Sequence, residues 1–254
     1  MSKHFPQNII SPFRENTCII CVPMVGANDV LLLSEAEAAN KSDADIVEWR
    51  IDALRGFDNV DEILALAQHL RAKIHQPLIA TVRSVPEGGL GGLAQNLGLE
   101  ILLAMVARGL TDFVDAEIDG DATAFRQIQE TADANNVPVI ASKHYTTSTP
   151  SVAAMEERLM QAYKMGHIPK LAVMAQNMAD VARLLEATAM VRQQVVDRPL
   201  ITMAMGQFGR VSRVVGEVFG SSLTFAQLGS ASAPGQMPLD IVRGLITELR
   251  GSGL

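Results

Sequence analysis

The chain has 254 residues with 21 basic and 28 acidic side chains, a formal charge of −7, and 48% apolar against 19% charged positions. That balance excludes a disordered chain and argues against a nucleic-acid partner, which recruits an excess of lysine and arginine. Apolar runs such as Ile101–Ala107 stop far short of the roughly 20 residues that cross a bilayer, so no membrane partner is expected.

Residues 1–16 carry Pro6, Pro12 and scattered charges without a continuous apolar stretch. They do not read as a secretory signal, so a cytoplasmic protein is expected, with this leader closing the floor of the domain. The first strand is expected at Thr17–Val22 and holds both cysteines, Cys18 and Cys21. Side chains three apart on a strand point to opposite faces, so this C-x-x-C reads as structural rather than redox-active, and no second ligand pair completes a metal site.

Further strands are expected at Ile46–Ile51, Leu78–Val82, Phe113–Ile118, Val137–Ser142, Ile168–Met174, Leu200–Met205 and Leu223–Leu228. Each start lies one strand-plus-helix length after the last. The segments between them repeat apolar residues at helical spacing, as in Ile63, Leu66, Ala67, Leu70 and in Leu97, Ile101, Leu102, Met105. Ser34 with Glu37 reads as a capping box, while Gly109 and Gly166 stand where helices should stop. A last helix is expected to bury Leu239, Val242, Leu245, Ile246 and Leu249 on one face. Eight βα repeats without a composition break predict one domain over 1–254, an α/β fold of the single (β/α)8 TIM barrel type. A doubly wound open sheet is the alternative.

In such a barrel the active site lies at the C-terminal ends of the strands, which turns the strand list into a site list. Strand two ends in Glu48-Trp49-Arg50, with Glu48 and Arg50 on one face, where an ion pair and a substrate contact are equally good readings. Arg83 ends strand three, followed by Glu87-Gly88-Gly89, and strand four carries Asp115 and Glu117 on one face. Of five histidines only His144 follows a strand on the catalytic side; His4, His69, His75 and His167 fall where solvated or capping roles are common.

Lys170 shares a strand face with Ala172 and Met174. An unpaired, desolvated ammonium favours the free amine, a nucleophile suited to a Schiff base. Snorkelling to water at the barrel floor is the alternative. Loss of one interior ammonium should leave the fold intact. The glycine-rich runs Met205–Arg213 and Gly229–Gln236 read as anion-binding loops, with Arg213 supplying a fork for a carboxylate or a phosphate. Gly89–Ala94 also fits a loose G-x-G-x-x-A, but stands too far from strand three for the tight turn that a dinucleotide needs.

The set Glu48-Trp49-Arg50, Arg83 with Glu87-Gly88-Gly89, His144, Lys170, Met-Gly-x-x-Gly-x-x-Ser-Arg at 205–213 and Ala231-Ser232-Ala233-Pro234-Gly235-Gln236 closely resembles type I 3-dehydroquinate dehydratase. The resemblance implies a homodimeric shikimate-pathway lyase that acts on small-molecule 3-dehydroquinate with no metal and no cofactor. It implies that Lys170 forms an imine with the ring ketone and that His144 moves the protons under the influence of Glu87. Arg213 would hold the substrate carboxylate, with Ser232 and Gln236 on a closing loop. Glu48 and Arg83 would meet ring hydroxyls, Arg50 would line the same site, and Met203, Met205 and Phe225 would form apolar walls. Without the resemblance, another Schiff-base lyase of the aldolase kind, or a carboxylate-binding barrel without turnover, stays open. The chain departs from the family pattern at Lys143 and Tyr145, which flank His144, and at Ala116, where a larger aliphatic residue is usual.

Overall fold

Strand and helix alternate without interruption along the chain, in a computed structural model that describes residues 18–93, 97–196, 198–229 and 231–251. The strands are β1 (Ile19–Met24), β2 (Ile46–Arg50), β3 (Leu78–Thr81), β4 (Phe113–Glu117), β5 (Val139–Tyr145), β6 (Ile168–Met174), β7 (Ile201–Met205) and β8 (Leu223–Phe225). The helices are α1 (Asp29–Asn40), α2 (Val60–Lys73), α3 (Leu97–Ala107), α4 (Ala122–Asn135), α5 (Val152–Met165), α6 (Met178–Gln194), α7 (Gly206–Val215) and α8 (Leu239–Gly251). All ladders are parallel.

Neighbouring strands follow chain order from β1 to β7, and β8 returns to pair with the other edge of β1. The remaining seam is narrow: Ser222 N donates to Leu200 O at 2.6 Å and Thr202 N to Ser221 Oγ at 3.0 Å. Eight strands thus form a nearly closed TIM barrel ringed by eight helices, and the open doubly wound sheet is excluded.

The strand alternation sets the layers. Outward residues such as Val47, Trp49, Val114 and Ala141 pack under the helices. Inward residues at the strand starts, among them Ile46, Ile79, Phe113, Ile140, Ile168, Ile201 and Leu223, fill the barrel floor. Cys18 lies outside, with α8, and Cys21 inside; both are buried free thiols, as a structural C-x-x-C requires. Burial pushes the Cys18 thiol up to about 12, which keeps it inert.

Most helices start on side-chain caps that accept backbone N–H groups: Asn28, Asn59, Asp121, Ser151 and Asn177. Ser34 therefore lies inside α1 and forms no capping box, because Asn28 has already opened that helix. Gly109 and Gly166 stop helices as expected. Gly109, at φ +65°, turns the chain so that Leu110 N reaches back to Met105 O at 2.9 Å.

Most strand boundaries lie within two residues of expectation, and the larger departures are few. β5 runs on to Tyr145, which puts His144 within the strand, and β8 ends at Phe225 because the loop beyond it folds over the mouth. The run after β7 is helix α7 rather than a loop. On α8, Leu239, Val242 and Ile246 are buried, but Leu245 is exposed, so the packed face is narrower than the apolar pattern suggested. The expected leader, 1–16, lies outside the described residues.

Candidate active site

Charged residues occupy the barrel interior one pleat above the apolar floor. Glu48, Arg50, Arg83, Asp115 and Lys170 are all nearly inaccessible to solvent, and such charges persist only when paired. Lys170 Nζ meets Asp115 Oδ2 at 2.9 Å and Glu48 Oε1 at 3.3 Å, and lies 4.7 Å from the Phe225 ring centre. The premise of an unpaired ammonium is therefore corrected: Lys170 is dry but held by two carboxylates. It does not snorkel to the floor.

Arg83 completes this cluster through Asp115 Oδ1 (2.9 Å), Glu117 Oε1 (2.9 Å) and Ser142 Oγ (3.0 Å). Burial alone would raise the Asp115 carboxyl, but Arg83 and Lys170 hold it well below the usual carboxylate range. Arg50 grips Asp52 with two nitrogens, Nε to Oδ1 at 2.9 Å and Nη2 to Oδ2 at 2.7 Å. Glu48 and Arg50 are each ion-paired, with Lys170 and Asp52 rather than with one another, and both face the cavity described below.

His144 stands one pleat above Lys170 on the adjacent strand, where the register pairs Ser142 with Lys170 and His144 with Ala172. Its Nδ1 lies 3.0 Å from Glu87 Oε2, which also accepts the His144 backbone N–H at 2.9 Å. An ionised Glu87 places the ring hydrogen on Nδ1 and leaves Nε2 with the lone pair. Burial, and then the nearby Arg83 and Lys170 cations, push the imidazole well below its ordinary value. The neutral, basic form is the one present at neutral pH.

Opposite this flank, α7 brings Arg213 inward. Among the described residues its guanidinium donates only to uncharged acceptors, Phe225 O at 3.2 Å, Pro234 O at 3.4 Å and Met203 Sδ at 4.0 Å, and its Nε has no partner there. Burial lowers it to about 10. A buried cation of this kind, with no carboxylate partner among the described residues, has the chemistry to meet an external anion. The loop after β8 closes over it through Ser232 N to Gln236 Oε1 (2.8 Å) and Gln236 Nε2 to Ser232 Oγ (3.0 Å). Gly235, at φ +83°, comes so near Gly206 O that a Cβ would lie 2.3 Å from it.

These groups surround one cavity of about 230 Å³ at the barrel mouth. Its lining includes Lys170, His144, Glu87, Glu48, Arg50, Arg83, Arg213, Ser232, Gln236, Met203, Met205 and Phe225, so every residue expected at the site is brought together. Thr146, Met174 and Pro234 also line it. Asp115 was legible as an interior charge, but its role as the partner of Lys170 depends on a contact across two strands.

The other candidates fall away from the cavity. Leu90 N, Gly89 N and Gly92 N bond to Asp52 and Ser84 within the chain, so the loop that contains the loose fingerprint has no free cradle at those amides. His167, expected to be solvated or capping, is buried, and its Nδ1 accepts from Val139 N at 3.0 Å.

Residues 20–251 match the family described as type I 3-dehydroquinase. The 3-dehydroquinate dehydratase of Bacillus licheniformis is 42% identical over 86% of this chain and 87% of its own length. That of Listeria monocytogenes is 36% identical over 98% of both chains. Among solved structures, the 3-dehydroquinate dehydratase of Geobacillus kaustophilus superposes with a TM-score of 0.89 at 35% identity, covering 94% of this chain and 93% of its own. The type I enzyme of Clostridium difficile, solved with covalently modified comenic acid, gives 0.87 at 36% identity over 92% and 93%.

Proposed function

The chain belongs to the type I 3-dehydroquinase family and is by that membership a hydro-lyase of the shikimate pathway; on this premise we propose how its residues dehydrate 3-dehydroquinate. The observation that carries the reading is one cavity lined by a buried lysine, a neutral histidine and an arginine without an anionic partner. Arg213 receives the substrate carboxylate. Glu48 and Arg83 meet the ring hydroxyls, and Arg50 lines the same site. Met203, Met205 and Phe225 shield the ring from water.

Lys170 first sheds a proton, for which the Asp115 and Glu48 oxygens at 2.9 and 3.3 Å are the nearest acceptors. The free amine adds to the ring ketone, and loss of water gives an iminium. His144 Nε2 then removes the proton α to the iminium carbon; the C–H electrons form the C=C bond of an enamine and the C=N π electrons pass to nitrogen. The resulting enamine expels the β-hydroxyl as His144 returns the proton, so the elimination releases one water. A second water hydrolyses the conjugated imine and regenerates the amine. A covalent step accords with the modified ligand in the Clostridium difficile structure.

We extend the reading to a cytoplasmic homodimer on the strength of the family resemblance; among the described residues no helix is long and apolar enough to cross a membrane. The test of the covalent step is borohydride reduction in the presence of 3-dehydroquinate, followed by peptide mass analysis. A stable adduct on Lys170 is expected. Unmodified Lys170 beside an enzyme that continues to turn over would overturn the mechanism.

A further inference from the structure

Strand alternation turns Lys143 away from the barrel interior, since its neighbours Ser142 and His144 face inward and its register partner Leu171 lies under the helices. Its long side chain nevertheless returns to the rim of the mouth. Lys143 Nζ lies 2.8 Å from Glu87 Oε1 and 2.9 Å from Asp119 Oδ2, and the side chain is only 16% exposed. Asp119 is braced in turn by Arg158 of α5, 2.8 Å away. Charges of alternating sign, Arg158, Asp119, Lys143 and Glu87, therefore run from α5 to the neutral imidazole of His144. The two oxygens of Glu87 divide the work, with Oε1 on Lys143 and Oε2 on His144.

We propose that Lys143 is a positioning residue of the dehydration, holding Glu87 charged and oriented so that His144 keeps its hydrogen on Nδ1 and its lone pair on Nε2. The inference rests on the reading of His144 as the base. A neutral Glu87 would donate its own hydrogen to Nδ1, which drives the ring hydrogen to Nε2 and removes the base.

Four charged or titratable groups face Glu87: Arg83 from the segment after β3, at 3.9 Å, Glu117 from β4, and Lys143 and His144 from β5. Burial raises the Glu87 carboxyl and Glu117 adds to that, while Lys143 and Arg83 oppose it. Arg83 is already committed to Asp115 and Glu117. Lys143, whose ammonium is strengthened by Glu87 and Asp119 against its partial burial, is therefore the cation through which the chain sets this pair.

The experiment is kcat and KM against pH, followed by enone absorbance, for the full-length enzyme and its Lys143→Met, Lys143→Gln and Lys143→Arg variants. Glu87 and His144 titrate as a coupled pair, so the profile reports their shared protonation. Removing the cation makes that protonation easier. Met and Gln are expected to move the acid limb of kcat up by about one pH unit. On the acid side kcat then falls about tenfold with KM little changed. Arg keeps the charge and should hold the limb in place. Borohydride trapping at Lys170 should persist in all three variants.

Acid limbs of the Met and Gln variants that coincide with wild type, whether or not the rate is scaled uniformly, would overturn the inference, and the thermal melt of each variant identifies a folding defect. A wild-type enzyme that gives no Lys170 adduct, or a His144→Gln variant that retains full activity, would instead sink the underlying mechanism and the inference with it.

Discussion

The floor and the mouth of the barrel differ by a single pleat. Ile46, Ile79, Phe113, Ile140 and Ile168 line the floor, and two residues along the same strands stand Glu48, Thr81, Asp115, Ser142 and Lys170. The floor coheres by burial, each large aliphatic side chain contributing on the order of 2–3 kcal/mol. The mouth coheres because every charge on the β2–β6 flank has an opposite partner, Lys170 and Arg83 both meeting Asp115. The β7–β8 flank breaks that rule, since among the described residues Arg213 donates only to carbonyls and a thioether. A rigid apolar base lets the mouth keep one charge uncompensated, and in the proposed function that charge meets the substrate carboxylate.

Lys170→Ala sharpens this contrast most. Turnover should fall about a thousandfold or more if the proposed nucleophile is gone. Contrary to the expectation of a tolerant barrel, stability should also fall by a few kcal/mol, since Asp115 and Glu48 lose a shared cation. Part of that loss should return as the pH is lowered and the carboxylates protonate. Ile168→Ala, one pleat below, should cost about 2–5 kcal/mol while kcat stays within a fewfold of wild type. Thermal melts and steady-state rates on both variants check this; equal loss of turnover in the two would erase the distinction between floor and mouth.

Arg213→Met tests the exception. Removing a buried cation that lacks an anionic partner should leave the melting temperature unchanged or raise it by the equivalent of about 1 kcal/mol. KM should rise about a hundredfold, as expected for losing a charge-assisted contact to the carboxylate. A destabilised variant with an unchanged KM would mean that Arg213 serves the fold rather than the ligand.

How much of this was legible from sequence follows the range of each interaction. The period-two placement of Glu48, Arg50, Asp115 and Lys170 is local and follows from strand geometry alone. The helical state of residues 206–215 was missed because three of the signals around it, Gly206, Gly209 and the small loop residues beyond, resemble a phosphate loop; α7 instead packs tightly on Ala204, against which Gly209 leaves no room for a Cβ. The pairing of Lys170 with Asp115 and the return of Lys143 to Glu87 join residues 55 and 56 positions apart. No spacing rule reaches that far. The same limit hid Asn28 behind the more familiar Ser34–Glu37 pattern, since a cap is decided by where the chain leaves the strand.

The smallest effect comes from two alanines that face each other in register on the outer surface of the sheet, Ala116 of β4 and Ala141 of β5. Ala141 is filled against: a Cβ placed on Gly166, at the floor-side turn into β6, would lie 2.7 Å from its methyl. Ala116 borders a cavity of about 250 Å³ toward the mouth, between β3, β4 and helices α3 and α4, lined also by Val82, Gly98, Phe125 and Ile128. Ala116→Val should bury added methyl surface there and stabilise by about 1 kcal/mol, or 2–4 °C in melting temperature, with activity unchanged. Ala141→Val has no such space and should destabilise by about 1–3 kcal/mol through overpacking. If both substitutions destabilise equally, the cavity beside Ala116 is closed in solution and loose packing is not a property of the mouth half of the barrel.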